Sequence, residues 1–280
     1  MIRKLYDIAF YVATALCAIF TMTILYHVVG FVVSNGMPLL YQQLMGTSEV
    51  AILSPDKLWA MMVSTLFLTG VTLLLAIPIA ICSAIYLFEY AKNNLLAQWV
   101  RFSVQTLASI PSIIYGLFGM LVFVRMAGFG VSNLAGAGTL CLMLLPILMT
   151  QTENALHQVP HEYRQAAASL GATPFETIMT VILPHSISGI LVGVLLAIGR
   201  ILAESAALLF TIGGFVQMPI NRETGMLSVF EAGTTLTVRA IIEFKEHGNI
   251  ESASAIGVIT IGVVIGLNLM SRLMVSILKK

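Results

Sequence analysis

Long uncharged apolar runs separated by short polar connections set the pattern of this chain. The first extends from Ile8 to about Val33 and the second from Leu58 to Phe88, with Pro78 inside it. The third covers about Phe102 to Val124, the fourth about Val131 to Met149, the fifth about Ile187 to Ile212 and the sixth about Ser252 to Leu269. About 20 apolar residues in a helix match the thickness of a bilayer's hydrocarbon core. The pattern therefore predicts an all-α integral membrane protein with six transmembrane helices. Arg3 and Lys4 precede the first run as they would in a secretory signal, but the run is long enough to span and lacks an A-x-A cleavage site, so it reads as a signal anchor. Asn35 to Lys57, with Gly36, Pro38, Ser54 and Pro55, reads as a polar outer connection. This divides the chain into a first span with its loop (1–57) and a core (58–280). Gly213 and Gly214 are expected to end the fifth helix. In the outer connection that follows, Ile241, Ile242 and Phe244 mark a piece that dips back or packs on the outer mouth.

One polar stretch, about residues 151–186, interrupts the apolar pattern with strong local signals. Ala166, Ala167 and Ala168 lie in a run of good helix formers, and Gly171 is placed to end that helix. Thr173, Pro174 and Glu176 then supply a hydroxyl N-cap, a proline at the first helical position and a carboxylate at the third, the pattern of a capping box. The expectation is an elbow of helix, sharp turn and helix, with small residues on the first arm.

Composition agrees with the pattern: 58% of residues are hydrophobic and 10% charged, against about 25% charged in ordinary soluble domains. The net charge of +1 gives no electrostatic case for nucleic-acid binding. With six spans, Arg3, Lys4, Lys92, Arg101, Arg164, Arg272, Lys279 and Lys280 share one side. Lys57, Arg125, Arg222, Arg239 and Lys245 share the other. The positive-inside rule makes the first side cytoplasmic, with both termini and the elbow on it. Cys17, Cys82 and Cys141 all fall in apolar runs and read as small buried hydrophobes. His27 reads as a hydrogen-bonding residue between helices. His157, His161 and His185 gather near the elbow, but Pro160 interrupts a helical pair, so they make a poor metal site. The chain contains no G-x4-G-K-[ST], so it cannot bind and hydrolyse ATP by a P-loop.

Arg200 and Glu204 are the most informative charges, because both stand in the fifth apolar run, where ionised groups are costly and mark functional pathways. Their i,i+4 spacing puts them on one face of a helix, with Arg first, the order that supports the helix less. The fourteen residues from Ser186 place Arg200 roughly 21 Å into the span at 1.5 Å per residue, past the bilayer middle. A buried structural ion pair and a pathway residue with a resting partner both fit this placement.

The elbow resembles the EAA loop of ABC importer permeases, whose pattern is E-A-A, three residues, Gly, nine residues, I-x-L-P. Ala166, Ala167, Gly171, Leu183 and Pro184 match, while Gln165 replaces the Glu and Val181 the Ile. The resemblance implies a coupling helix that docks into an ATPase subunit, with Arg164, Gln165, Ala166, Ala167, Gly171, Ala172, Thr173 and Pro174 at or beside the contact. Three further stretches resemble the phosphate-specific ABC permeases, the A-type (PstA) best. They are AIYLFEYAKNN (84–94), SIPSIIYGLFG (109–119) and the fifth run, where Gly189, Gly193, Arg200, Glu204, Ala206 and Leu208 match and Ala203, Ser205 and Ala207 depart.

The family resemblance implies a MetI-like type I importer permease for inorganic phosphate in the inner (plasma) membrane of a bacterium or archaeon. Arg200, Glu204, Pro111 and Ser112 would lie on its pathway, although packing alone accounts equally well for Pro111 and Ser112. Its implied partners are a second homologous permease, two ATP-binding cassette subunits that hold ATP and Mg, an external phosphate-binding protein and a PhoU-like regulator. No cofactor is expected in this chain. A permease for molybdate or sulfate shares this architecture. An ion-coupled secondary transporter or channel would show paired half-repeats and several midplane charges, which are not evident.

Overall fold

Backbone N–H and C=O groups find no water in hydrocarbon, so a spanning chain resolves into helices that close their own hydrogen bonds. The computed structural model describes residues 2–47, 50–91, 94–220 and 225–278. Among these the only β pairing is an isolated bridge between Ile220 and Leu227. The helices are α1 (Ile2–Leu44), α2 (Pro55–Ile85), α3 (Leu95–Ala108), α4 (Ser112–Gly119), α5 (Asn133–His157) and α6 (His161–Ser169). They continue with α7 (Pro174–Thr177), α8 (Leu183–Ala203), α9 (Ala206–Leu209), α10 (Leu236–Lys245) and α11 (Ile250–Leu278). Wider π turns lie at Tyr86–Tyr90, Met120–Met126 and Ile178–Ile182. Among the described residues, five helices are long and apolar enough to cross a membrane. Ala97–Ala108 and Ser112–Met126 make a sixth span only as a pair bent by 102°.

Helix α5 is the centre, packed against α2 on one side and α8 on the other. Its Leu140, Leu144 and Leu148 meet Leu68 of α2, Ile201 of α8 and Leu208 and Ile212 beyond it in the main core. A second cluster (Leu53, Met61, Leu236, Ala255 and Ile256) ties α2, α10 and α11 together. A third (Phe88, Leu156, Val159, Ile178 and Ile182) lies where the elbow joins the bundle. Lipid is as apolar as leucine, so close backbone approach and not apolar burial decides which helices associate. Gly189 and Gly193, one turn apart on α8, permit this. A Cβ on the first would stand 2.6 Å from the Ala155 Cβ, and on the second 2.8 Å from the Gln151 Cβ. At Gly36, where α1 crosses α11, an added Cβ would lie 2.5 Å from the Ser254 carbonyl carbon.

Several expectations are corrected. Helix α1 continues to Leu44, through Asn35, Gly36 and Pro38, which were expected to open a polar connection. Gly36 serves the crossing with α11, and Pro38 stays within the helix, as membrane helices tolerate. The boundary at residue 57 falls in the first turn of α2. The third span is not one straight helix, and the fifth ends at Ala203, well before Gly213. Cys141 is buried, but Cys17 and Cys82 lie on the outside of the chain. An apolar run does not distinguish a lipid-facing position from a core position. His27 bonds through Nδ1 to the Thr23 carbonyl of its own helix (2.8 Å), in a part of α1 whose side chains are exposed. Lys92, Arg222, Lys279 and Lys280 of the charge asymmetry lie outside the described residues.

The close approach yields a stability contrast. Gly→Ala inside a helix contributes about 0.5–1 kcal/mol, whereas overpacking costs about 1–3 kcal/mol. At Gly189 the clash dominates, and at Gly262, where an added Cβ meets nothing within 4 Å, the propensity gain stands alone. Thermal unfolding of the detergent-solubilised protein should show Gly189→Ala melting lower and Gly262→Ala equal to or above the parent.

Candidate functional site

Arg200 occupies the last turn of α8, and the helix stops at Ala203 because Glu204 adopts an extended backbone (φ −81°, ψ 131°). The Arg200 side chain is 47% exposed, and its Nη2 lies 3.6 Å from Glu204 Oε2. Glu204 is held far more firmly. Its side chain is 5% exposed, and its Oε1 accepts the Ala207 N–H at the start of α9 (3.2 Å). Its carbonyl accepts the Thr237 hydroxyl of α10 (2.9 Å), and its own N–H bonds the Ile201 carbonyl (3.1 Å). The carboxylate is thus a fixed part of the chain's folding, while the guanidinium has one long, half-open contact. With a single contact at 3.6 Å and half of its side chain exposed, Arg200 is the more loosely held member of the pair. In this chain only Glu204 is buried, and the pair spans a helix break and not a continuous helical face.

The second helix break lies close by. Pro111 lacks an N–H and disfavours helical geometry in Ile110 before it. Ser109 and Ile110 close tight turns onto Thr106 and Leu107 (both 3.1 Å), and Pro111 (φ −58°, ψ 139°) caps α4, which Ser112 begins. The Tyr115 hydroxyl donates to the Leu107 carbonyl (2.8 Å), joining the two arms of the bend. Helix α4 then packs on α9: an added Cβ on Gly116 would stand 2.8 Å from the Ala207 Cα. The structure therefore brings the 109–119 motif against the segment that follows Glu204. Pro111 and Ser112 enter this region through α4, the helix they start.

The elbow forms as its local chemistry predicts. Gly171 has φ +84°. The Ala172 N–H bonds the Ala167 carbonyl (3.1 Å) and the Gly171 N–H bonds the Ala168 carbonyl (3.0 Å), the paired bonds of a Schellman motif. The Thr173 N–H donates to Glu176 Oε2 (2.8 Å) and the Glu176 N–H donates to Thr173 Oγ1 (3.3 Å), completing the capping box with Pro174 in the first turn. Ala167 is buried, so the outward surface of the first arm is Gln165, Ala166, Ala168, Ser169 and Leu170. Leu170 is 89% exposed and Phe175 58%, two apolar side chains at the tip that the sequence reading passed over.

Arg164 also turns inward. Its Nη1 donates to Glu89 Oε2 (2.6 Å) and its guanidinium lies 4.4 Å from the Phe88 ring centroid. Gln165, Ala172, Pro174 and Glu89 line a groove of about 280 Å³ beside it. His157 packs edge-on against Phe88 and His185 lies beside Tyr163. A larger cavity of about 600 Å³ lies among α2, α3 and α5, with Arg101, Gln105, Thr150, Glu153 and Asn154 on its walls. Arg101 is already engaged there, through Nε and Nη2 to Glu153 Oε1 (3.0 and 2.7 Å) and Nη2 to the Leu87 carbonyl (3.2 Å). On α10, Arg239 pairs with the buried Glu243. Only this last pair leaves a sequence signal, its i,i+4 spacing; the other two join residues 52 and 75 positions apart.

The left-handed glycine sets a test of the elbow. An added Cβ at Gly171 meets nothing within 4 Å, so any cost is backbone strain, about 1–2 kcal/mol for an L residue. Limited proteolysis should nick the elbow faster in Gly171→Val than in the parent, with Gly171→Asn near the parent. Equal rates in all three would contradict the positive φ.

Comparison with known proteins places these features in a family. Residues 76–280 match the family described as "Binding-protein-dependent transport system inner membrane component". The chain is 33% identical over 247 residues to the probable ABC transporter permease protein YqgI of Bacillus subtilis, covering 86% of this chain and 84% of that one. It is 32% identical over 223 residues to the probable phosphate transport system permease protein PstA of Methanocaldococcus jannaschii, covering 79% and 78%. It is 39% identical over 180 residues to the phosphate transport system permease protein PstA of Haemophilus influenzae, covering 64% and 63%. A chain of the bacterial alginate ABC transporter, solved in complex with an alginate pentasaccharide-bound periplasmic protein, has the same fold (TM-score 0.70, 16% identity, 96% and 94% covered). So does a chain of the inward-facing MetNI methionine ABC transporter (TM-score 0.64, 19% identity, 81% and 100% covered). With the broken third and fifth spans, the capped elbow and this match over residues 76–280, the chain belongs to the binding-protein-dependent transport system inner membrane component family.

Proposed function

We propose that this chain is one membrane subunit of an ATP-driven importer of inorganic phosphate, in which the anion passes Arg200 on its way between two related permease subunits. The observation that carries the reading is the asymmetry of the charge pair. Glu204 is fixed by Ala207, Thr237 and Ile201, whereas Arg200 is half exposed and touches it at 3.6 Å. A guanidinium offers a planar fork of donors suited to phosphate oxygens, and Glu204 holds it when no anion is present. The phosphate transport permeases among the relatives support the choice of cargo.

The remaining parts follow from the same reading. The chain has no P-loop, so two ATP-binding cassette subunits hold ATP and Mg and hydrolyse it. They dock on the elbow, where the exposed Leu170 and Phe175 form an apolar contact beside Gln165 and Ala166. Ala167, Gly171, Ala172, Thr173 and Pro174 shape that turn from behind. Both termini and the elbow face the cytoplasm. An external phosphate-binding protein delivers the anion to the opposite side, and a PhoU-like regulator acts on the cytoplasmic side of the assembly.

The test is phosphate uptake by liposomes carrying the assembled complex. Arg200→Gln should lower uptake about tenfold or more, the scale of one lost charge-assisted hydrogen bond of about 1.5–3 kcal/mol. Arg200→Lys should also be impaired, since an ammonium lacks the bidentate fork. The Arg200→Gln, Glu204→Gln double variant should assemble without transporting. Recovered transport in the double variant would instead make the pair structural, because removing both charges relieves an unpaired one.

A further inference from the structure

The end of α2 is a π turn, Tyr86–Tyr90, in which the Ala91 N–H reaches back five residues to the Tyr86 carbonyl (3.2 Å). Such turns re-aim the groups they contain and cluster at functional sites. Three successive residues of this one meet three other elements. The Leu87 carbonyl accepts from Arg101 of α3 (3.2 Å), and Arg101 is in turn bonded to Glu153 of α5. The Phe88 ring is held between the His157 ring at the end of α5 (4.5 Å, perpendicular) and the Arg164 guanidinium of α6 (4.4 Å). Glu89 accepts from Arg164 (2.6 Å).

Arg164 is only 14% exposed and Glu89 17%, so the contact is internal to the chain and not part of the elbow's outer surface. Arg164 Nη2 is buried with no acceptor among the described residues. A guanidinium kept purely for stability would be expected to satisfy that nitrogen, since a buried unpaired donor is costly. Leu87, Phe88, Arg101, Glu153 and His157 are also wall residues of the 600 Å³ cavity. The elbow, the end of α2 and that cavity are therefore linked through one turn.

We propose that Arg164 is the positioning residue that carries displacement of the elbow into the end of α2, through Glu89 and Phe88, and so into the α3–α5 walls of this cavity. The proposal rests on the reading that the ATPase docks at the elbow. When the elbow moves, the short ion pair and the stacked ring move the π turn with it. Leu87 passes the shift to Arg101 and Glu153. Without Arg164 the elbow can follow the ATPase while α2 stays behind.

The experiment uses the complete complex in liposomes and measures ATP hydrolysed and phosphate taken up together. In Arg164→Gln and in Glu89→Gln the ATPase should still copurify and hydrolyse ATP. Phosphate moved per ATP should fall roughly tenfold, within the range of measured coupling energies. Arg164→Lys, which keeps the charge and its place over the ring, should recover part of that ratio. Phe88→Leu, which keeps the apolar bulk but removes the cation–π contact, should lower it without loss of assembly. The Arg164→Gln, Glu89→Gln double variant should remain uncoupled. Restored coupling in the double variant, or a parent-like ratio in Phe88→Leu and Arg164→Gln, would overturn the proposal. Failure of the docking reading itself looks different: in that case Leu170→Asp would leave ATPase copurification unchanged.

Discussion

Every backbone group in the bilayer must find its partner within the protein, and the rest of this structure depends on how that demand is met where helices are broken. The bend before α4 closes through tight turns at Ser109 and Ile110 and through the Tyr115 hydroxyl on Leu107. The break after α8 closes through the Glu204 carboxylate on Ala207 and the Thr237 hydroxyl on the Glu204 carbonyl. The π turn after α2 hands the Leu87 carbonyl to Arg101. In each case a side chain distant in sequence or placed across the break does what a continuous helix would do for itself. The functional candidates and the helix breaks coincide for this reason: polar side chains enter the apolar interior where backbone groups require them.

The same demand explains the behaviour of the Arg200–Glu204 pair. Glu204 is committed to the chain before it is committed to Arg200, so the arginine is left with the weaker hold. Its carboxylate has the Ala207 N–H as a second partner besides Arg200. Helix α10, which supplies Thr237, and helix α4, which lies against Ala207, both bear on this point. Movement of either helix would therefore be felt at the proposed anion contact.

How much was legible in the sequence follows from the range of the interactions. The elbow could be read almost residue by residue, because Gly171 and the Thr173–Pro174–Glu176 cap act within one turn. Five spans and their order followed from hydropathy, whereas the third run is a pair of helices bent by 102° that hydropathy does not distinguish from a straight span. The end of α1 was misjudged because Gly36 and Pro38 carry turn chemistry locally, whereas contact with Ser254 of α11 keeps the helix going. The break at Glu204 was hidden because nothing adjacent breaks a helix, and its partner Thr237 lies 33 residues on. Arg164 resembled a surface residue of the coupling loop, and only its distant partner Glu89 gives it an internal place.

The central claim is that this chain passes inorganic phosphate with energy from a partner ATPase. Uptake of radiolabelled phosphate into liposomes holding the assembled complex and its external binding protein, with ATP enclosed or withheld, tests it most directly. The account predicts accumulation only with ATP and no displacement by excess sulfate or molybdate. Equal uptake without ATP, or uptake abolished by either competing oxyanion, would contradict it.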